Sequence, residues 1–294
     1  MSNVDSPAVA RRRVRLALRA AREEKQLTQG QVAEAMGWSI SKVIRIEKGE
    51  VNVSPGDLTV LLEHLGITDK KTVAELAESA RVSRRERWTV SAEEREFYTP
   101  AMIELVQFEA EALTVRYYNN VLVPGPLQVR PYAEAVLARP PTPVPSGARE
   151  ARIRLREQRR ERLYAPNGPA YLVLLDESVL YREVGSARIM AEQLEFLRSI
   201  VVDAGARLQL RIIPFSAQNT KYNVAPYVLV DLDQGRSALL YRETAATDEI
   251  VDAEADVQAH RLIFDSMWAS SSDREQSLEI IERRTASIRP SAGA

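Results

Sequence analysis

The chain is 294 residues long, with 45% hydrophobic and 28% charged residues, which is typical of a folded protein with two domains. It contains no cysteine, so disulfide bonds and thiolate metal sites are excluded. No run approaches the roughly 18 apolar residues that a membrane span needs. No apolar segment follows the arginines near the N-terminus, as one would in a secretory signal. The sequence therefore predicts a cytoplasmic protein.

Positive charge is concentrated at the N-terminal end of the chain. Residues 1–50 contain ten Lys and Arg against six Asp and Glu, whereas the whole chain has 40 against 41. A basic segment at one end of an otherwise acidic chain is typical of a DNA-binding domain joined to a domain that does not bind DNA.

Residues 1–68 are predicted to form an all-helical domain. Arg11–Lys25 has apolar residues at helical spacing. Thr28 begins the next helix with a capping box, Gly37 ends it in a left-handed turn, and Ser39 caps a third helix. Two short helices joined at a glycine, the second opening with polar and basic side chains, are the pattern of a helix-turn-helix.

The third helix is expected to enter the major groove of DNA, because its N-terminal end presents short polar and cationic side chains to base edges. Gln29, at the start of the preceding helix, is placed to bind a phosphate or to brace the recognition helix on the backbone. Ile40 is an apolar exception, which either touches a thymine methyl group or packs inside the protein. The residues predicted at the DNA are Gln29, Ser39, Ile40, Ser41, Lys42, Arg45 and Lys48.

The segment LTQGQVAEAMGWSISKVIRIEKG resembles the Cro/CI-type repressors, also called the xenobiotic-response-element family. That resemblance implies a five-helix DNA-binding domain that acts as a homodimer on a two-fold double-stranded operator. The half-sites of such an operator are about one helical turn apart.

The rest of the chain is predicted to be a helical linker, residues 69–95, and an α+β domain, residues 96–294. A small mixed sheet covered by helices is expected in this larger domain, with a hairpin that turns at Gly235. The predicted strands are Ala170–Leu175, Leu208–Ile213, Tyr227–Leu232 and Ala238–Arg242. The predicted helices include Ala101–Tyr118, Ala148–Leu163, Ala187–Ala204, Asp252–Trp268 and Arg274–Ser287.

Several segments of this larger domain resemble an actinobacterial regulator family. They read, in order, FEAEALTVRYYNNVLVPGPLQVRPYAEAVL, RLREQRRERL, VLLDESVLYREVG, RIMAEQLEFL and LRIIPF. The C-terminal half of that family is an uncharacterised domain, and its members are typically transcription factors. The resemblance implies a small partner protein, which in this family is often encoded beside the regulator.

Catalysis has little support in the sequence. Only two histidines are present, and no phosphate-binding glycine loop, nucleophile elbow or zinc pattern occurs. Four acidic residues near predicted strand ends are candidates for a carboxylate cluster, although a capping or solvated role is favoured: Asp176, Glu177, Asp231 and Asp233. The sequence thus predicts no enzyme, no cofactor and no metal site.

The segment 148–163 is a strongly basic helix with seven arginines and three glutamates. Its arginines could dock an acidic partner, extend the DNA footprint or bind an anionic ligand, or they could form a solvated face. Tyrosines near the VPG turn could line a pocket or simply pack. The candidates for partner or ligand binding are Arg152, Arg156, Arg159, Tyr118 and Tyr132.

Together these features predict a DNA-binding regulator whose larger domain dimerises and responds to a small partner protein. The alternative is a regulator that senses a small molecule in a pocket of that domain. A cavity of several hundred cubic ångströms with convergent polar groups would favour the sensor. An exposed apolar patch rimmed by charge would favour the partner.

Overall fold

The computed structural model describes residues 7–49, 51–84, 95–138, 144–166, 168–203, 207–217, 224–233, 237–244 and 247–288. The chain divides into two compact units, Met1–Thr89 and Val90–Ala294, which we call the head and the body. The predicted hairpin turn at Gly235 and residues 85–94 of the predicted linker lie outside the described residues.

The head is all-helical, as the sequence predicts. Its helices are α1 (Pro7–Glu24), α2 (Gln29–Met36), α3 (Ile40–Glu47), α4 (Pro55–His64) and α5 (Lys70–Val82). The predicted caps are present: the Thr28 hydroxyl accepts from the backbone N–H of Gln31, Gly37 is left-handed with φ of 63°, and the Ser39 hydroxyl accepts from Lys42 N–H. These local signals fix the angle between α2 and α3, since each cap ends or begins a helix at a single residue.

One apolar core joins the five helices of the head. Helices α2 and α3 bury Val32, Val43 and Ile46 in it. Helix α5 falls within the stretch that the sequence assigns to the linker, yet its Leu76 and Ala80 belong to this same core. Burial of these two side chains ties α5 to the head, because each apolar side chain removed from water stabilises the packed state.

The body is built on a six-stranded mixed sheet. Its strands are β1 (Thr114–Asn119), β2 (Ala170–Asp176), β3 (Leu208–Ile213), β4 (Tyr227–Asp233), β5 (Ser237–Glu243) and β6 (Asp248–Val251). They lie in the order β3-β2-β1-β4-β5-β6. The pairs β1–β2 and β2–β3 are parallel, and the pairs β1–β4, β4–β5 and β5–β6 are antiparallel.

Helices pack around this sheet. They are α6 (Pro100–Glu109), α7 (Arg130–Leu137), α8 (Ser146–Tyr164), α9 (Ser178–Tyr181), α10 (Ala187–Asp203), α11 (Glu254–Ser270) and α12 (Arg274–Ile288). Helix α11 buries Val257, Phe264 and Met267 in a core shared with Leu174 and Leu229 of the sheet. The α+β class, with an all-helical head and a helix-covered mixed sheet, is confirmed.

The predicted helix Ala101–Tyr118 is wrong in its second half. Helix α6 ends at Glu109, and the chain continues into strand β1. The segment TVRYYN is rich in β-branched and aromatic residues, which favour a strand. Its Val115 and Tyr117 are buried at a spacing of two residues, and the same apolar positions also fit a helical stripe. Two short elements, α9 and β6, were not predicted at all.

Candidate functional site

The exposed surface of α3 holds most of the residues predicted at the DNA. Ser39, Ser41, Arg45 and Lys48 are exposed, and Ser39 also caps the helix. Ile40 is 52% exposed, so it is available at the surface rather than buried in the core. The head therefore presents short polar side chains, two long cations and one apolar side chain on this helix.

One carboxylate connects α3 to both preceding helices. Glu47 at the end of α3 accepts from Nε2 of Gln29 at 2.8 Å and from Nε of Arg22 at 2.6 Å. Nη2 of Arg22 donates to the second oxygen at 3.0 Å, so the pair is bidentate. Gln29 thus contacts Glu47 within the head, and its role at the DNA stays a prediction. Arg22 and Glu47 were not predicted, because their pairing joins positions 25 residues apart.

Lys42 is held by two side chains of the head. Its Nζ lies 3.1 Å from Oδ2 of Asp57 at the start of α4, and 3.7 Å from the centroid of the Trp38 ring. The ion pair is partly exposed, which limits its strength to about 0.2–1 kcal/mol. Lys42 can therefore exchange this partner for another anion at low cost.

In the body, a half-open cavity of about 400 Å³ lies at one end of the sheet. Strands β1 and β5 end there, and β4 and β6 begin there. Its walls also include the arginine face of α8 and the turn that follows β1. The side chains that line it include Tyr98, Thr99, Tyr118, Gln128, Arg152, Arg156, Arg159, Tyr227, Tyr241, Glu243 and Asp248.

Arg159 is neutralised inside the protein. Its Nε donates to Oε2 of Glu109 at 2.7 Å, and its Nη2 donates to Oε1 at 2.8 Å and to the Tyr117 hydroxyl at 3.0 Å. The Tyr117 hydroxyl in turn donates to Glu109. Glu109 is 1% exposed and Arg159 is 7% exposed, so this is a buried, fully paired network. Burial raises the pKa of Tyr117 well above its ordinary value, which keeps the hydroxyl a donor.

Among the described residues, the hydrogen-bond partners of Arg152 and Arg156 are uncharged. Nε of Arg156 donates to Oε1 of Gln128 at 3.1 Å, and its Nη1 donates to the carbonyl of Arg152 at 2.8 Å. Nε of Arg152 donates to the carbonyl of Phe97 at 3.0 Å. Burial lowers the pKa of Arg156 to about 10, and the neighbouring Arg159 lowers it as well. This wall of the cavity is therefore positively charged and only partly solvated.

The opposite wall is acidic. Glu243 at the end of β5 and Asp248 at the start of β6 pair directly across the two strands. Asp248 accepts from the Tyr241 hydroxyl at 3.0 Å and from the hydroxyl of Thr99. Glu243 stays exposed at the cavity mouth, and partial removal of its carboxyl group from water raises its pKa; Arg156 opposes that shift, and Asp248 adds to it.

The turn after β1 is held rigidly against the cavity. Gln128 donates from Nε2 to the Val123 carbonyl at 2.7 Å, and Gln193 of α10 donates from Nε2 to the Leu127 carbonyl at 2.7 Å. Arg160 donates from Nε to the Pro126 carbonyl at 3.1 Å. Three side chains thus satisfy the carbonyls of one turn, which fixes this wall before any ligand arrives.

Four of the five body candidates therefore meet at one cavity: Arg152, Arg156, Arg159 and Tyr118. Tyr132 is fully buried, and its hydroxyl accepts from the backbone N–H of Val123. We assign Tyr132 a packing role, since its buried hydroxyl supports the backbone of the turn after β1 from the protein interior. The acidic wall was not predicted, because only the pairing of β5 with β6 brings Glu243 and Asp248 together.

The candidate carboxylate cluster does not form. Thr114 of β1 pairs with Ala170 at the start of β2 and with Asp231 near the end of β4. Asp176 is at the far end of β2, roughly 20 Å along the strand at about 3.3 Å a residue. It caps the next turn by accepting from the backbone N–H of Ser178 at 2.9 Å, whereas Asp231 is buried between Arg116 and Arg261.

Among the described residues, no three His, Asp or Glu side chains are grouped as metal ligands would be. None of the described helices is long and apolar enough to cross a membrane.

A family model described as Domain of unknown function (DUF5753) matches residues 102–283, which is more than half of the chain. The chain belongs to this family. A second model, described as Helix-turn-helix domain, matches residues 14–76. No curated protein and no solved structure matches the chain significantly. The helix-turn-helix identifies this DUF5753 protein as a DNA-binding transcription regulator.

The Lys42–Asp57 pair of this DUF5753 protein leads to a first prediction. Asp57→Asn should tighten DNA binding by about 2- to 5-fold, because it frees Lys42 and removes a negative charge near the DNA surface. Fluorescence anisotropy on a selected duplex measures this effect. Weaker binding by the variant would show instead that Asp57 positions Lys42 productively.

Proposed function

We propose that this regulator binds a double-stranded operator through α3 as a homodimer, and that a small molecule bound in the body cavity controls it. The single observation that supports ligand control best is the cavity itself. Its volume of about 400 Å³ falls within the roughly 300–1,000 Å³ typical of small-molecule sites, and charged groups converge on it from opposite walls.

On the DNA side, we propose base or phosphate contacts from Ser39, Ile40, Ser41, Lys42 and Arg45. Lys48 is placed for a phosphate contact near the end of α3, and Gln29 acts by bracing that helix through Glu47. The exposure of Ser39, Ile40, Ser41 and Arg45 along one short helix supports the assignment. The Cro/CI-type resemblance adds the two-fold operator, on which each head would occupy one half-site.

Ligand control requires that the ligand favour one arrangement of the dimer over another. A ligand enclosed between α8 and the strands β5 and β6 would fix these elements relative to each other. We propose that this ordering changes the spacing of the two heads, and thus the affinity for an operator with fixed half-site separation.

A partner protein is the second candidate. Phe215 is 63% exposed and Tyr181 is 44% exposed, and their ring centroids are 5.4 Å apart. The guanidinium of Arg284 lies 4.5 Å from the Tyr181 ring. Exposed aromatic rings beside an arginine are typical of the residues that dominate binding at protein interfaces. The patch is small, so we favour the cavity as the regulatory site.

The DNA half of the proposal is tested by selection from a random-sequence duplex pool. The full-length protein should enrich a two-fold motif, and light scattering should give two chains per bound duplex. Enrichment of no motif by the folded protein would overturn the assignment of α3.

The ligand half is tested with a cavity-filling variant. Leu122 lines the cavity and is half-buried, whereas Leu113 is exposed and does not line it. A library of water-soluble carboxylates, phosphates, amines and neutral metabolites is screened for a rise in melting temperature. At least one compound should stabilise the wild type and Leu113→Trp, but not Leu122→Trp, and should change DNA affinity. A screen in which no compound does so would overturn ligand control.

A further inference from the structure

We infer that the cavity ligand is a zwitterion, whose carboxylate binds Arg152 and Arg156 and whose ammonium group binds Glu243. This inference rests on the proposed function, since it names the chemistry of the small molecule that the body would sense. It depends on the charges left unneutralised on the two walls, which differ in sign.

On the positive wall, Arg152 and Arg156 form no direct ion pair with any described residue. Within the described part of the chain, no carboxylate lies within 4.0 Å of the guanidinium of Arg152 or Arg156. Arg159, on the same face of α8, is by contrast fully paired with Glu109. A partly buried cation without an anion is costly, and a guanidinium matches a carboxylate in two parallel hydrogen bonds. An incoming carboxylate would therefore gain strong contacts here.

On the acidic wall, Glu243 likewise forms no direct ion pair with a described residue, although the arginines across the cavity act on its charge from a distance. Within the residues that the structure describes, Glu243 has neither a hydrogen bond nor an ion pair, and its cross-strand neighbour is Asp248. Two carboxylates directly opposite each other on paired strands repel. Asp248 is stabilised by the hydroxyls of Tyr241 and Thr99, so Glu243 is the group that a ligand ammonium would satisfy.

Among the described residues, no ion pair bridges the positive and the acidic wall. Arg156 and Glu243 each line the cavity, but they lie farther apart than an ion pair, on α8 and β5 respectively. A purely anionic ligand would face the acids, and a purely cationic ligand would face the arginines. A molecule with one charge of each sign matches both walls at once.

The volume of the cavity and its aromatic lining further restrict the range of possible ligands. A volume of about 400 Å³ corresponds to roughly a dozen water molecules at about 30 Å³ each. This is the size of an amino acid or a small dipeptide. The rings of Tyr98, Tyr118 and Tyr227 supply apolar surface for its body.

The test uses full-length protein and matched probes. The probes are free amino acids and unblocked dipeptides with apolar or aromatic side chains, each also prepared as its N-acetyl and its C-terminal amide derivative. Affinities are measured by calorimetry after a melting-temperature screen. At least one zwitterion should bind about ten-fold or more tightly than both of its derivatives, because each derivative loses one charge-assisted contact.

Variants of the two walls test which wall binds the carboxylate of the ligand and which binds its ammonium group. Arg156→Gln should remove the preference for the zwitterion over its amide, and Glu243→Gln should remove the preference over its N-acetyl form. Arg154→Gln is the matched control, since Arg154 is exposed on α8 and does not line the cavity. If Arg156→Gln does not fold, the Glu243→Gln comparison still decides the question.

The outcomes separate the two proposals. Equal binding of the N-acetyl form, or unchanged binding by Glu243→Gln, overturns the zwitterion while leaving a sensor of anions. Binding of other library compounds, but of no probe in any form, also overturns the zwitterion alone. If neither the library nor the probes bind, ligand control fails together with it.

Discussion

Arg159→Met should lower the free energy of unfolding of the body by about 3–5 kcal/mol. The substitution leaves Glu109, which is 1% exposed, as a buried carboxylate with no counter-charge. It also removes the three hydrogen bonds that Arg159 donates to Glu109 and Tyr117. Urea denaturation, followed by the fluorescence of Trp268 in the body, measures the loss.

Two further variants show whether the decrease in the free energy of unfolding comes from the unpaired Glu109. Arg154→Met removes an exposed arginine from the same helix and should cost less than about 1 kcal/mol. The combined replacement of Arg159 by Met, Glu109 by Leu and Tyr117 by Phe should recover much of the stability, because no buried polar group is left unpaired. An Arg159→Met variant as stable as the wild type would mean that water reaches Glu109.

The second large effect is expected at the DNA. Replacing both Lys42 and Arg45 with Ala should weaken binding to a selected duplex by at least about 30-fold, since each cation contact is worth about 1–3 kcal/mol. If both side chains contact phosphates, the slope of log affinity against log salt should fall by about two. If Lys42 contacts a guanine, its single variant should relax base preference at one position instead.

Lys71→Ala is the matched control for this measurement. Lys71 is an exposed cation on α5, outside the helix-turn-helix, so its loss should change affinity little. A loss of affinity in the control as large as in the double variant would indicate a general charge effect. The proposed role of α3 would then be withdrawn.

The head was largely predictable because its signals are local. Thr28, Gly37 and Ser39 set helix boundaries through contacts within a few residues, and the same residues are visible as caps in the sequence. The contacts of Glu47 could not be predicted in the same way. They join α3 to Gln29 of α2 and to Arg22 of α1, and the spacing of residues does not show how these helices meet.

Only the arginine wall of the cavity could be predicted from the sequence, because the other contacts join residues that are far apart in the chain. The arginine face of α8 follows from helical spacing, but Arg159 is buried because Glu109, 50 residues earlier, lies beside it. Glu243 and Asp248 reach the cavity only through strand pairing. Strand β1 was misread because its apolar spacing fits a helix as well as a strand.

The antiparallel pairing of β1 with β4 bears on how fragments of this chain would behave. Thr114 is joined to Asp231, so the centre of the sheet cannot be completed until more than one hundred further residues have been synthesised. The head, by contrast, consists of helices that are close in sequence and should fold early on the ribosome. A product that ends before Tyr227 would keep a finished DNA-binding head, but it would expose the open edge of β1, a site at which strands of other chains can pair.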